Sequence, residues 1–251
     1  MKGHHIEELT HEQVKALLNE DTVVVLPIGG GSKEHAAHLP MGTDMYLCQY
    51  LADRVTERCD VLTLPILCYA HFPAFVDWKG SVNVESRTFI DVVKDICISF
   101  ARHGVRKFLV IDFSISSRFP LYTVATEMNN EWNVKVAISL NSNLGHRARE
   151  RVCEQKQGGH ACEWETSLML HVRPELVEMD KAVEEYNPVL DGTIIEGQTG
   201  IYVGHHMVTK SGVNGNPLLA TKEKGQILID DMVEDLVAFI EGFRDFKITT
   251  Y

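Results

Sequence analysis

Residues 23–44 read VVVLPIGGGSKEHAAHLPMGTD. Val23–Leu26 is a short apolar run rich in β-branched residues, the mark of a strand covered on both faces. Pro27 and three glycines end it. Then Lys33, Glu34, His35, His38 and Asp44 follow within a dozen residues, an unusual density of proton carriers and metal-ligand types.

The same kind of run recurs at Val61–Leu67, Phe108–Phe113 and Val134–Leu140. Between these runs the period changes. Phe89, Val93, Ile96 and Phe100 fall at three- and four-residue steps within 87–103, as do Ile229, Val233, Leu236, Ile240 and Phe243 within 226–243. Thr10 to Gln13 has the form of a capping box ahead of another short helix. Strands alternating with helices predict an α/β fold with a mainly parallel sheet and helices on both faces. No linker-like tract or internal repeat divides the chain, so residues 1–251 are expected to form one domain. The Gly-rich stretch 187–221 reads as a late strand with long loops.

In an open α/β sheet, ligands bind outside the carboxyl ends of the strands. The Gly-rich segment carrying Lys33 to His38 follows the first strand. Asp44 opens the next helix, with Thr43 in N-cap position. Tyr69 and His71 follow the second strand and Ser114 the third, so all gather on one rim.

Bulk composition narrows the classes. A formal charge of −11 on 251 residues argues against nucleic acid. No stretch approaches the roughly 18 apolar residues of a membrane span, and the N-terminus has no apolar signal region. The six cysteines form no CxxC pair and read as reduced thiols, which points to a cytoplasmic protein. GGG at 29–31 matches neither dinucleotide nor P-loop patterns.

A divalent ion takes three or four ligands from imidazole nitrogen and carboxylate oxygen, and His35, Asp44 and a Glu supply that set. His38 and Asp44 can equally cap a turn and a helix. A second cluster is GGHACEWETSLML, 158–170. There His160 reads as a general acid/base and Glu165 as a ligand or proton carrier; alternatively Glu163 and Glu165 simply favour a helix N-terminus. Cys162 is read as a buried small residue rather than a nucleophile. Arg147, Arg149 and Arg151 read as a solvated helix face, or else as an anion site. His205 and His206 read as polar surface.

These segments together resemble the creatininase (creatinine amidohydrolase) family. Its signature is similar to Pro-x-Gly-Ser-x-Glu-Gln-His-Gly-x-His-Leu-Pro-x-x-Thr-Asp, and PIGGGSKEHAAHLPMGTD stands in that place. LPILCYAHF (64–72), WKGSVNV (78–84), HGVRKFLVID (103–112), the 158–170 cluster, RPELVEMDKAV (173–183) and the segment 215–241 continue the likeness in order, over roughly 7–245. The resemblance implies a three-layer α/β/α sandwich and metal-dependent hydrolysis of a small molecule, with zinc, manganese or iron, in a homo-oligomer, commonly a hexamer. By position, His35 takes a ligand His, Asp44 the carboxylate that bridges two metals in dinuclear members, His160 a catalytic His, and Glu165 the Glu preceding Thr-Ser.

Two departures stand out. The family's Glu-x-His becomes adjacent Glu34-His35, with Lys33 in the usual Glu place. Adjacent residues of a regular strand face oppositely, so Glu34 can ligate only if the backbone bulges. After the third strand, Ser114 stands where the family has a metal-binding His. The expectation is therefore a single-metal site of His35, Asp44, Glu34 and Glu165, with His38 in reserve. Lys33 would oppose a second dication or hold an anionic substrate. The reaction expected is hydrolysis of a cyclic amide, an amide or a cyclic ketone. A lyase on a hydroxy-ketone and a non-catalytic binding protein on the same fold are the alternatives.

Overall fold

The computed structural model describes residues 2–155, 157–186 and 209–247. Among the described residues, five strands, β1 (His4–His5), β2 (Val23–Ile28), β3 (Leu62–Thr63), β4 (Lys107–Asp112) and β5 (Lys135–Leu140), form one sheet in the order β1-β3-β2-β4-β5. Every pairing between these five strands is parallel.

The periodicity of β2 explains the layers. Val23 and Val25 enter one apolar cluster, whereas Val24, Leu26 and Ile28 enter another on the opposite face. Successive strand side chains point to opposite sides, so a strand apolar at every position needs cover on both. The first face is covered by α2 (Thr43–Arg58), α5 (His146–Val152), α6 (Glu163–Val172) and α7 (Lys222–Arg244). The second is covered by α3 (Ser86–Ala101) and α4 (Arg118–Trp132), with α1 (His11–Leu17) packed at its margin. The result is the expected three-layer α/β/α sandwich. Each fully buried Val or Leu contributes about 1.5–3 kcal/mol by leaving water.

Some boundaries differ from the sequence reading for local reasons. The run 61–67 gives a ladder of only two residues, since Pro65 has no N–H to donate. Its backbone still reaches β2, with Leu64 N donating to Val25 O (2.9 Å) and Leu67 N to Pro27 O (3.0 Å). Thr43 is not the N-cap of α2. Gly42 holds that position, and the Thr43 hydroxyl donates to Pro40 O at 2.7 Å. The capping box of α1 forms as read, Thr10 N donating to Gln13 Oε1 at 2.8 Å. Arg147 and Arg151 are exposed, as a solvated face predicts, whereas Arg149 is half-buried. Arg147 pairs with Asp231 (2.8 Å) and Asp235 (3.1 Å) on α7, and Arg149 stacks over Trp164 at 4.3 Å. Of the Gly-rich stretch, 187–208 lies outside the described residues, including the expected strand near 200 and His205 and His206. Among the described residues no helix is long and apolar enough to cross a membrane.

Candidate active site

The register Ile28↔Asp112↔Leu140 aligns the carboxyl ends of β2, β4 and β5, and the loops that leave them carry the polar side chains of interest. The chain leaves β2 through Gly29, where it crosses the start of α2. A Cβ on Gly29 would lie 2.6 Å from Asp44 O, so only glycine lets Asp44 come this close to the strand end. Segment 29–42 is not strand. Lys33 N donates to Met41 O at 3.1 Å, closing a loop, and Ala36 adopts φ +59°. A non-glycine residue in that left-handed region costs about 1–2 kcal/mol. The bend frees Glu34 and His35 from strand alternation and lets both turn inward.

All the sequence candidates are buried: Lys33, Glu34, His35, His38, Asp44, His160 and Glu165 are each 6% exposed or less. Asp44 is the hub of one half. Lys33 Nζ lies 2.7 Å from its Oδ2 and His35 Nε2 lies 2.9 Å from its Oδ1. Burial would raise the Asp44 carboxyl, but the charges and hydrogen bonds of Lys33 and His35 outweigh it and hold it well below the usual carboxylate range. His35 Nδ1 meets Lys33 O at 3.1 Å, so the same short loop orients both partners of Asp44.

The other half is built around His160. Its Nε2 lies 3.1 Å from Glu34 Oε2, and its ring packs at 4.7 Å from His35 and 4.5 Å from Phe75. Burial, followed by the electrostatic influence of His35 and Lys33, pushes the His160 imidazole well below its ordinary range; burial pushes Glu34 up. Ala36 N donates to the other oxygen of Glu34. Gly212 presses against that same oxygen: at φ +84°, its Cβ would fall 1.9 Å from Glu34 Oε1. Segment 209–215 is anchored beside the cluster by Asn214 N donating to His160 O at 2.8 Å. Ala161, at φ +48°, turns the chain into α6, and its N–H donates to Glu165 Oε2 at 2.6 Å. Burial raises Glu165 as well.

His35, His160 and Glu165 bring one ligand atom each to within 4.8 Å of one another, all three buried. Two imidazole nitrogens and one carboxylate oxygen form a donor set that suits a zinc, manganese or iron ion with an open position. Glu34, Asp44 and His38, all expected as ligands, lie outside this trio. Glu34 faces His160 and Ala36. His38 Nε2 meets Thr166 Oγ1 at 2.9 Å, and its Nδ1 has no hydrogen-bond partner among the described residues. Burial lowers His38 to about 4. Ser114 supplies no imidazole. Its N–H donates to Asp112 Oδ1 at 2.8 Å, and its hydroxyl is buried without a partner among the described residues. Asp112, pushed up to about 7 by burial, also accepts from Ser117. The Cys162 thiol is buried and pushed up to about 12, which makes it inert.

Two features escaped sequence reading. Gly212 as the cover of Glu34 gives no local signal, because the contact spans 178 residues between positions 34 and 212. Phe75 as the aromatic floor under both His160 (4.5 Å) and Lys33 (4.8 Å) sits in a segment without periodicity.

A buried imidazole–carboxylate cluster at the carboxyl end of a parallel sheet in a three-layer sandwich defines a class of α/β enzyme scaffold built around a metal-type site. The family described as creatininase, creatinine amidohydrolase, matches residues 7–240, and the chain belongs to it. The creatinine amidohydrolase of Pseudomonas putida is 23% identical over 259 residues, covering 94% of this chain and 95% of its own. The mycofactocin precursor peptide peptidase of Mycolicibacterium smegmatis is 21% identical over 221 residues, covering 84% and 81%. Both of these relatives are hydrolases. A crystal structure of creatinine amidohydrolase superposes with a TM-score of 0.80 at 22% identity, over 98% of this chain and 100% of that one. Solved creatininases include a manganese form, TM-score 0.79 at 22% identity over 96% and 99%, and a mutant of Zn-Zn type.

Proposed function

We propose that this chain is a metal-dependent hydrolase of a small amide, cyclic amide or cyclic ketone, using one divalent ion. The observation that carries the reading is the buried trio His35, His160 and Glu165, within 4.8 Å of one another at the carboxyl end of the sheet. These three residues would hold the ion. When bound, it would supply an activated water at neutral pH and polarise a carbonyl.

The chain's own groups divide the remaining work. Asp44, 2.9 Å from His35, orients that imidazole, as carboxylates commonly do for metal-ligating histidines. Glu34 does the same for His160 at 3.1 Å. A carboxyl raised by burial can hold a proton and release it to a leaving group, so Glu34 is assigned the acid/base role that sequence alone suggests for His160. Phe75 and Gly212 exclude water from this pair. The relatives' activities, on creatinine and on a precursor peptide, support hydrolysis of a C–N bond without fixing the substrate.

The test is a panel of lactams, formamides, short peptides and cyclic polyol ketones, with incorporation of labelled water followed by mass spectrometry. Turnover should depend on added zinc or manganese and fall at least a hundredfold in Glu165→Gln. Chelated protein that keeps full turnover would sink the metal-dependent reading. The ion pair between Lys33 and Asp44 favours a second reading, a binding protein on the same scaffold. Ligand binding with no product across the panel would select it.

A further inference from the structure

Lys33 is in an unusual place for a lysine. Long cationic side chains normally run along apolar surface and keep the ammonium in water. Here the side chain is 5% exposed, Nζ lies 2.7 Å from Asp44 Oδ2 and 4.8 Å from the centre of the Phe75 ring. Its backbone is fixed at both ends of the residue, N to Met41 O at 3.1 Å and O to the His35 ring at 3.1 Å. The ammonium is therefore held in the interior by a closed loop, an ion pair and an aromatic face. Both Asp44 oxygens are already engaged, Oδ1 by His35 and Oδ2 by Lys33.

Charge balance makes this arrangement informative. Asp44, Glu34, Glu165 and Asp112 are all buried around the strand ends, and Asp44, paired at 2.7 Å with Lys33 Nζ, is the carboxylate whose buried charge requires a cation beside it. The trio of His35, His160 and Glu165 can take a divalent ion on one side of Asp44's partner His35. On the other side, at Oδ2, the position of a cation is already filled by Nζ. Ser114, two residues past β4, carries a hydroxyl and no side-chain nitrogen, and its N–H is turned to Asp112.

We infer that Lys33 is a tethered cation occupying one of two cation positions at this centre, so that the protein takes up one exchangeable divalent ion where Lys33→Glu would take up two. The first ion rests on the metal-dependent reading above; the occupancy of Asp44 Oδ2 by the ammonium does not. Unlike a metal, the ammonium has no coordination position for water and cannot be lost to a chelator. It offers N–H donors beyond the one directed to Asp44, which suits it to hold a substrate oxygen rather than to activate water. Its charge also weakens any neighbouring dication.

The test uses full-length protein stripped with chelator, dialysed against zinc or manganese, and measured by elemental analysis and titration calorimetry. The expected result is one ion per chain in the native protein and two in Lys33→Glu. Lys33→Met should stay at one, with affinity increased roughly tenfold or more, equivalent to about 1.4 kcal/mol. Two ions in the native protein would overturn the inference and leave the hydrolase reading intact. No ion in the native protein but one in Lys33→Glu would support the tethered cation while overturning the metal-dependent reading. A folded Lys33→Glu that binds no more than the native protein would overturn the inference. If Lys33→Glu does not fold by circular dichroism, Lys33→Met decides: unchanged affinity overturns it and tighter binding supports it.

Discussion

Asp44→Asn isolates the electrostatics of the centre from its chemistry. The amide keeps the shape of the carboxylate and can still accept a hydrogen bond from Lys33, but it removes the negative charge between two basic partners. Lys33 and Asp44 have side chains 5% and 0% exposed at 2.7 Å, so the surviving ammonium is left in the interior without a counter-charge. Removing one partner of a buried pair costs about 3–5 kcal/mol, and the retained hydrogen bond places this case near 3. For a chain of this size each kcal/mol lowers Tm by about 2–4 °C, so a fall of roughly 6–12 °C is expected. Urea unfolding of chelator-treated protein, followed by tryptophan fluorescence, measures it directly. The double variant Lys33→Met/Asp44→Asn should regain most of the loss. A loss below about 1 kcal/mol would refute the view that this pair is a buried ion pair.

Three further outcomes follow from individual contacts. Gly212→Ala sets a Cβ 1.9 Å from Glu34 Oε1 at φ +84°, so Glu34 must move; turnover should fall by at least tenfold and stability by about 1–2 kcal/mol, while activity equal to native would show that segment 209–215 does not position Glu34. Thr166→Val removes the single partner of the His38 ring among the described residues and should cost about 1–3 kcal/mol in urea unfolding, with little effect on metal affinity. Asp112, raised to about 7 by burial, stays protonated in the folded chain where the unfolded chain has ionised, so its contribution is full below about pH 4 and lost as pH rises through 7, by up to about 4 kcal/mol. Asp112→Asn should abolish that component, and an unchanged pH–stability profile would show that Asp112 is ionised in the native state.

Much of the scaffold was legible in sequence because its signals are local. Val23–Leu26 is apolar at every position, which requires cover on both faces; helices at 86–101 and 222–244 announce their buried stripe through residue spacing. Those two periods suffice for a parallel sheet between two helical layers. Short elements were less legible. Only Leu62 and Thr63 of the run 61–67 form ladder, because a proline inside an apolar run alters hydrogen bonding without altering hydropathy. α2 starts under Gly42 rather than Thr43, since the Thr43 hydroxyl found Pro40 O instead.

In the site, sequence alone determined the inventory: a lysine, two histidines and two carboxylates after one strand, and His160 and Glu165 far along the chain, His160 being 126 residues beyond Glu34. Which of them meet was decided only by tertiary structure. Strand alternation would send Glu34 and His35 to opposite sides, but the loop from Gly29 to Gly42 is closed by Lys33–Met41 and bent at Ala36, so both turn inward. Glu34 then pairs with His160, Lys33 takes Asp44, and His38 turns to Thr166. The physical reason is that hydrophobic period specifies which face of an element is buried, over a few residues. The partner of a buried charge is specified by where separate loops converge, and that is a property of the packed chain.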